Sequence, residues 1–301
     1  MISQQGERIL GWMYKNIKNA EQPQTIEKAR DNINAMAKMN GFSDKLIIEN
    51  IDLDMCRCRL VKTCDSLKDK YILYLHGGGY CMGSTEASLN LIGQIIDQSK
   101  CSVLSVDYRL APENPFPTAL DDAVSAYVWM LDNGISSEDI IIVGESAGGG
   151  LALSVMIELK NKLISLPKAA VLMSPWTDLT ESGESYELCL DTDPYYNEDS
   201  IDNKTADMYA GGEDKHNPLI SPLFADLSSL PEILIQVGTR DRLYNDSTRA
   251  QSSLLKYGVN VELKVYEDMW HVWHTFGERL PEAKQAVSEI GEFIRKKLNI
   301  I

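Results

Sequence analysis

Gly144-Glu145-Ser146-Ala147-Gly148 is a stretch whose residue types and spacing could do covalent chemistry. A β-branched run, Ile140 to Val143, precedes it, and Leu151, Ala152 and Leu153 continue it at helical spacing. Gly-x-Ser-x-Gly between a strand and a helix is the sharp turn that lifts a serine hydroxyl above a sheet. Its glycines are needed because the turn leaves no room for a Cβ. The helix behind it offers free N–H groups and a positive dipole end to a developing oxyanion. A serine hydroxyl stays a poor nucleophile until a base takes its proton, and that base needs a carboxylate to hold its tautomer.

The chain has four histidines to supply the base. In a doubly wound hydrolase the order is serine, acid, histidine, which leaves His216, His271 and His274. His216 sits beside Asn217-Pro218 in an irregular stretch. His271 follows the last expected strand by six residues, at the edge where open α/β sheets place their sites, and is preferred to its rival His274. For the acid, Asp241 in Gly238-Thr239-Arg240-Asp241 leaves a strand at the same edge. Asp246 reads as an N-cap of the next helix, and Asp268 as a solvated loop acid. His76-Gly77-Gly78-Gly79 lets backbone N–H groups turn toward a substrate carbonyl. Gly78, Gly79 and Ala147 are therefore the expected oxyanion hole, with His76 as a structural anchor.

These residues need a framework, and the pattern supplies one. Strands are expected at 46–53, 55–61, 71–75, 102–106, 140–143, 168–173, 232–237 and 261–265. Helices are expected at about 118–132, 146–160, 246–257 and 282–298. Such alternation predicts an α/β fold with a mainly parallel sheet covered by helices on both faces. Two amphipathic helices lie ahead of the first strand: one with Ile9, Leu10, Met13 and Ile17, one opened by Pro23 and closed by Asn40-Gly41. Together with the acidic, tyrosine-rich interruption at 177–215 they form an expected cap. The expected division is 1–45 as cap helices and 46–301 as the catalytic domain, with 177–215 inserted as a second cap segment. Trp12, Met13, Met36, Tyr186, Tyr195, Tyr196 and Met208 would roof the site.

The 301 residues carry 44% hydrophobic side chains and a formal charge of −15. That charge argues against nucleic acid and anionic membranes as partners. No apolar run approaches the roughly 20 residues that span a bilayer, and no basic segment leads into an apolar one at the N-terminus. The six cysteines lack Cys-x-x-Cys spacing. Cys56, Cys58 and Cys64 have no histidine near them, so buried or half-buried free thiols are expected and no metal. A cytoplasmic location follows as an expectation.

Beyond single motifs, the chain resembles the hormone-sensitive lipase family of α/β-hydrolase carboxylesterases. The resemblance rests on His76-Gly77-Gly78-Gly79-Tyr80, on Asp107-Tyr108-Arg109-Leu110-Ala111-Pro112-Glu113 with Phe116-Pro117 and Asp121-Asp122-Ala123, and on Gly144 to Gly149. Ser174-Pro175-Trp176-Thr177-Asp178-Leu179, Ser221-Pro222-Leu223, Gly238 to Asp241 with Leu243, and the His271 loop extend it. It implies an α/β-hydrolase fold, a mainly parallel eight-stranded sheet with helices on both faces and a helical cap. It also implies Ser146, Asp241 and His271 as nucleophile, acid and base, hydrolysis of short-chain acyl esters through an acyl-enzyme, no cofactor, and a homodimer. Glu145 stands where aspartate is common, and Arg242 and Asn245 replace a proline and an aspartate. Those replacements bear on loop shape and substrate preference. An amidase, a sugar O-deacetylase, or a ligand-binding receptor on the same fold are the alternative readings.

Overall fold

The computed structural model describes residues 2–53 and 56–300. Helix α1 (Gln4–Met13) runs into a π-helical turn (Tyr14–Lys18), and α2 (Ile26–Asn40) follows. The side-chain oxygens of Ser3 and Thr25 cap the two helices, and Gly41 at φ 63° closes the second. Then come β1 (Ile47–Asp52), β2 (Arg57–Lys62), β3 (Tyr71–Leu75), α3 (Thr85–Ser99), β4 (Ser102–Asp107), α4 (Thr118–Asp132), β5 (Ile140–Glu145) and α5 (Ala147–Asn161). Further along lie β6 (Ala169–Met173), the short α6 (Ser185–Leu188) and α7 (Thr205–Ala210), β7 (Glu232–Gly238), α8 (Tyr244–Lys256), β8 (Val261–Tyr266) and α9 (Pro281–Lys297). The expected start of the second strand at residue 55 lies outside the described residues.

The sheet order is β1-β2-β4-β3-β5-β6-β7-β8, antiparallel for the first two pairings and parallel from β4 onward. Alternation along β3 shows how the layers form. Ile72 and Tyr74 join Ile92, Ile95, Ile290 and Ile294 on one face, while Leu73 and Leu75 join Ala123, Tyr127, Leu151 and Met156 on the other. Each such buried aliphatic side chain contributes about 1.5–3 kcal/mol. Helix α3 occupies a stretch where the pattern marks no element. Asn90 and Gly93 interrupt its apolar periodicity, and its stability comes from a Ser84 cap and from burial between the sheet and α9.

The N-terminal helices pack on different parts of the body. Leu10 and Met13 bury against Trp270, Trp273 and Leu280. Ile26 and Ala29 join the main core, and Arg30 fixes α2 by reaching Cys81 O (2.8 Å), Ala111 O (2.9 Å) and the Glu113 carboxylate (2.7 Å). No helix among the described residues is long and apolar enough to cross a membrane. All six cysteines are free; Cys56, Cys58, Cys81 and Cys101 are buried and Cys189 is half-buried, but Cys64 is exposed, against expectation.

Candidate active site

Parallel strands deliver the candidate residues to one edge of the sheet. β5 ends at Glu145, and Ser146 takes the backbone through φ 54°, ψ −123° before α5 begins. This is strained for a non-glycine residue. A Cβ at Gly148 would lie 2.0 Å from Leu75 O, so only glycine lets α5 start this close to β3. Ser146 N–H bonds to Met173 O (2.8 Å) and Trp176 N–H to Ser146 O (2.9 Å), which locks the turn between neighbouring strand ends. The loops after β7 and β8 are tied together by Thr239 N–H to Tyr266 O (3.0 Å) and Arg240 N–H to Met269 O (2.9 Å). That tie brings Asp241 and His271 side by side.

His271 Nε2 lies 2.9 Å from Ser146 Oγ, and His271 Nδ1 lies 3.1 Å from Asp241 Oδ1. All three side chains are buried. Asp241 Oδ1 also accepts the Leu243 N–H at 2.8 Å. Burial pushes the His271 pKa down, but the charge and hydrogen bond of Asp241 outweigh it and leave the imidazole above its ordinary 6.5. A cavity of about 690 Å³ opens on Ser146 and His271, with Gly77, Gly78 and Gly79 in its wall. Gly78 (φ 110°) and Gly79 (φ 59°) both adopt left-handed backbone.

A family described as having the alpha/beta hydrolase fold matches residues 72–275. An acetyl-hydrolase of Streptomyces hygroscopicus is 38% identical over 230 residues, covering 74% of this chain and 75% of the relative. Crystals of an esterase soaked with p-nitrophenyl butyrate give a TM-score of 0.94 at 35% identity, covering 99% of both chains. An esterase of the bacterial hormone-sensitive lipase family gives 0.94 at 36%, again over 99% of both. The chain belongs to the hormone-sensitive lipase family of α/β-hydrolases. It is a carboxylic ester hydrolase.

Other candidates fall elsewhere in this hormone-sensitive lipase-family esterase. His274 is fully buried, bonded through Nε2 to Gln236 Oε1 (2.9 Å), and burial pushes its pKa down to about 3. His216 pairs with Asp214 on the exterior. His76 stacks on Tyr108 with ring centroids 4.1 Å apart, and its Nδ1 meets Gly77 O at 2.7 Å, so it holds the glycine loop. Asp246 is not an N-cap. Helix α8 starts two residues earlier, and the buried Asp246 carboxylate accepts the N–H groups of Thr177 (2.7 Å) and Asp178 (2.9 Å). Asp268 is not free in solvent either; it is half-buried and paired with Arg240 at 2.8 Å. Trp12, Met36, Tyr186, Tyr195 and Tyr196 line the cavity, whereas Met13 packs on Trp270 and Met208 against the main core.

One residue beside the site carries no signal in the sequence. Asp193, in the 177–215 stretch, is fully buried, and one oxygen of it, one of Asp241 and one His271 nitrogen all lie within 4.8 Å of one another.

Proposed function

We propose that Ser146, His271 and Asp241 are the triad of a serine carboxylesterase that hydrolyses short-chain acyl esters through an acyl-enzyme. The observation that carries the reading is the chain of two contacts from Ser146 Oγ through His271 to Asp241, in a buried site that opens on a cavity. His271 Nε2 takes the serine proton as Oγ attacks the ester carbonyl. Asp241 keeps the proton on Nδ1 and supports the imidazolium that forms. The amides of Gly78, Gly79 and Ala147 hold the oxyanion, each worth about 2.7–4 kcal/mol in the transition state. His271 then protonates the leaving alcohol, and water repeats the cycle on the acyl-enzyme.

The helices of residues 1–45 and the 177–215 segment act in this reading as the two halves of a cap over the catalytic body, 46–301; both contribute to the cavity wall. A cytoplasmic homodimer completes the proposal. Free thiols suit a reducing compartment, and β8, at the end of the sheet order, leaves Val265 exposed for a second copy. Ser146→Ala is the test of the site. It should fold normally, lose activity by several orders of magnitude and no longer take up a fluorophosphonate label. Full turnover in that variant would place the nucleophile elsewhere. Sedimentation equilibrium tests the dimer.

A further inference from the structure

We propose that Asp193 is a positioning residue of the triad: it holds a proton, turns it to the free Oδ2 of Asp241, and so fixes the carboxylate that orients His271. The inference rests on the triad reading above and adds to it a side chain from the inserted segment.

Asp241 spends Oδ1 on His271 and on the Leu243 amide, while its buried Oδ2 has no hydrogen-bond partner among the described residues. A buried carboxylate oxygen without a donor is rare and costly. Asp193 brings one of its oxygens within 4.8 Å of an Asp241 oxygen. Its Oδ1 accepts the Tyr195 N–H and its Oδ2 the Arg242 N–H, both at 3.1 Å, so the carboxyl plane is fixed next to the residue that follows Asp241.

Charge decides which form Asp193 takes. Its carboxyl group makes no ion pair among the described residues, although the Lys18 ammonium and a protonated His271 would favour its anion from a distance. The Lys18 ammonium goes instead to the backbone oxygens of Leu190, Asp193 and Tyr196. The Arg242 guanidinium goes to Asn203 (2.8 Å) and Glu181 (3.5 Å). Tyr14, from the π-helical turn, and Cys189 and Tyr195, from the segment itself, also face Asp193, and none is cationic. Two buried carboxylates this close, sharing one imidazole, cannot both stay ionised cheaply. Burial, and then the charge of Asp241, accordingly push the Asp193 carboxyl up to about 7. In the proposal the shared proton lies on Asp193, since Asp241 Oδ1 is taken up by the contact to His271. Asp193 therefore carries the proton, and a protonated carboxyl is a donor.

The test compares kcat and KM across about pH 5–9 for the wild type, Asp193→Asn, Asp193→Ala and Ser146→Ala. Asparagine keeps a donor of the same shape, so its kcat stays within about fivefold and the acid limb of kcat/KM stays put. Alanine removes the donor: kcat falls about tenfold or more while KM moves less than about twofold. Its acid limb stays or moves up, because Asp241 becomes the stronger base. If both variants move the limb down, Asp193 is a second anion and the proposal is wrong. Unchanged kcat and profile in Asp193→Ala would make it a cap anchor only, and would overturn the proposal equally. Ser146→Ala separates the two levels, since activity there removes the triad reading itself. Should the alanine variant not fold, the infrared difference between wild type and Asp193→Asn at about pH 6 must show one protonated-carboxyl carbonyl band. Its absence refutes the proposal.

Discussion

Replacing Gly78 by alanine is the sharpest probe of the proposed oxyanion loop. At φ 110° an L-residue sits outside its allowed regions, which costs about 1–3 kcal/mol. A Cβ there would also lie 2.5 Å from Met82 O, 2.6 Å from Met82 C and 3.0 Å from Gly83 N. All three are backbone atoms, so no side-chain rotation relieves the clash. The loop itself must move, and the turn in which Cys81 and Met82 N–H bond to Gly78 O (3.1 and 2.9 Å) moves with it. Losing one oxyanion donor costs about 2.7–4 kcal/mol, or about 10²–10³ in kcat. Gly79→Ala provides the internal comparison. Its φ of 59° is the left-handed helical value, costing about 1–2 kcal/mol. The three atoms nearest its Cβ would all belong to the Thr205 side chain, at 3.0–3.3 Å. The expected order is Gly79→Ala within about tenfold of wild-type kcat and Gly78→Ala at least about a hundredfold down, with KM within about threefold for both. Both are measured with p-nitrophenyl butyrate on protein whose circular dichroism matches wild type. A folded Gly78→Ala enzyme within about threefold of wild-type kcat, or a reversed order, would refute the loop's role.

His271→Ala should be nearly inactive, while His274→Ala keeps at least about a tenth of the rate, because His274 faces Gln236; initial rates decide it. With His271 held above 6.5, kcat/KM should rise with pH through a limb above that value, since the base must be neutral to act; a limb below 6.5 would contradict the Asp241 pairing. Asp246 is raised to about 7 by burial and by Asp178, so the stability tied to its proton is full below about 3.8 and is lost as pH rises through 7. The melting temperature of Asp246→Asn relative to wild type should therefore rise by about 2 °C or more from pH 5 to pH 8, and a constant difference would be the contrary result. For p-nitrophenyl esters, each acyl methylene that fits the cavity gains about 0.8 kcal/mol and each that does not costs about 1–3. Accordingly kcat/KM should peak between acetyl and hexanoyl and fall at least about tenfold by decanoyl; a steady climb to dodecanoyl would show an open groove.

Legibility in the sequence followed from how local each signal was. The turn at Ser146 and the glycines after His76 are dictated by backbone geometry within a few residues, and such geometry leaves a mark in residue type. The alternation of strands and helices conveyed the parallel sheet because both periods come from burial on opposite faces. Helix α3 escaped notice because tertiary packing, with a cap at Ser84, overrides its weak internal propensity. Asp246 misled because an acid near a helix start looks like a cap, while its partners, the amides of Thr177 and Asp178, are distant in sequence. Asp193 had no mark at all: among the acids of the 177–215 stretch, burial depends on the Tyr14 and Lys18 contacts to residues 190–196, which no local pattern encodes.

The order in which the proposed triad leaves the ribosome has its own consequence. Ser146 Oγ and His271 Nε2 meet across 125 residues of chain. At about 5–20 residues per second of synthesis, the serine waits roughly 6–25 s for its base. Through that interval the nascent chain carries the strained turn but no activated hydroxyl. Even then His271 needs β8 seated on β7, and α9 after it packs against Trp273 and Leu280. In the proposed triad, hydrolysis therefore begins only once β8 and the loop that carries His271 are in place, and a chain stopped before residue 271 holds a serine without its base.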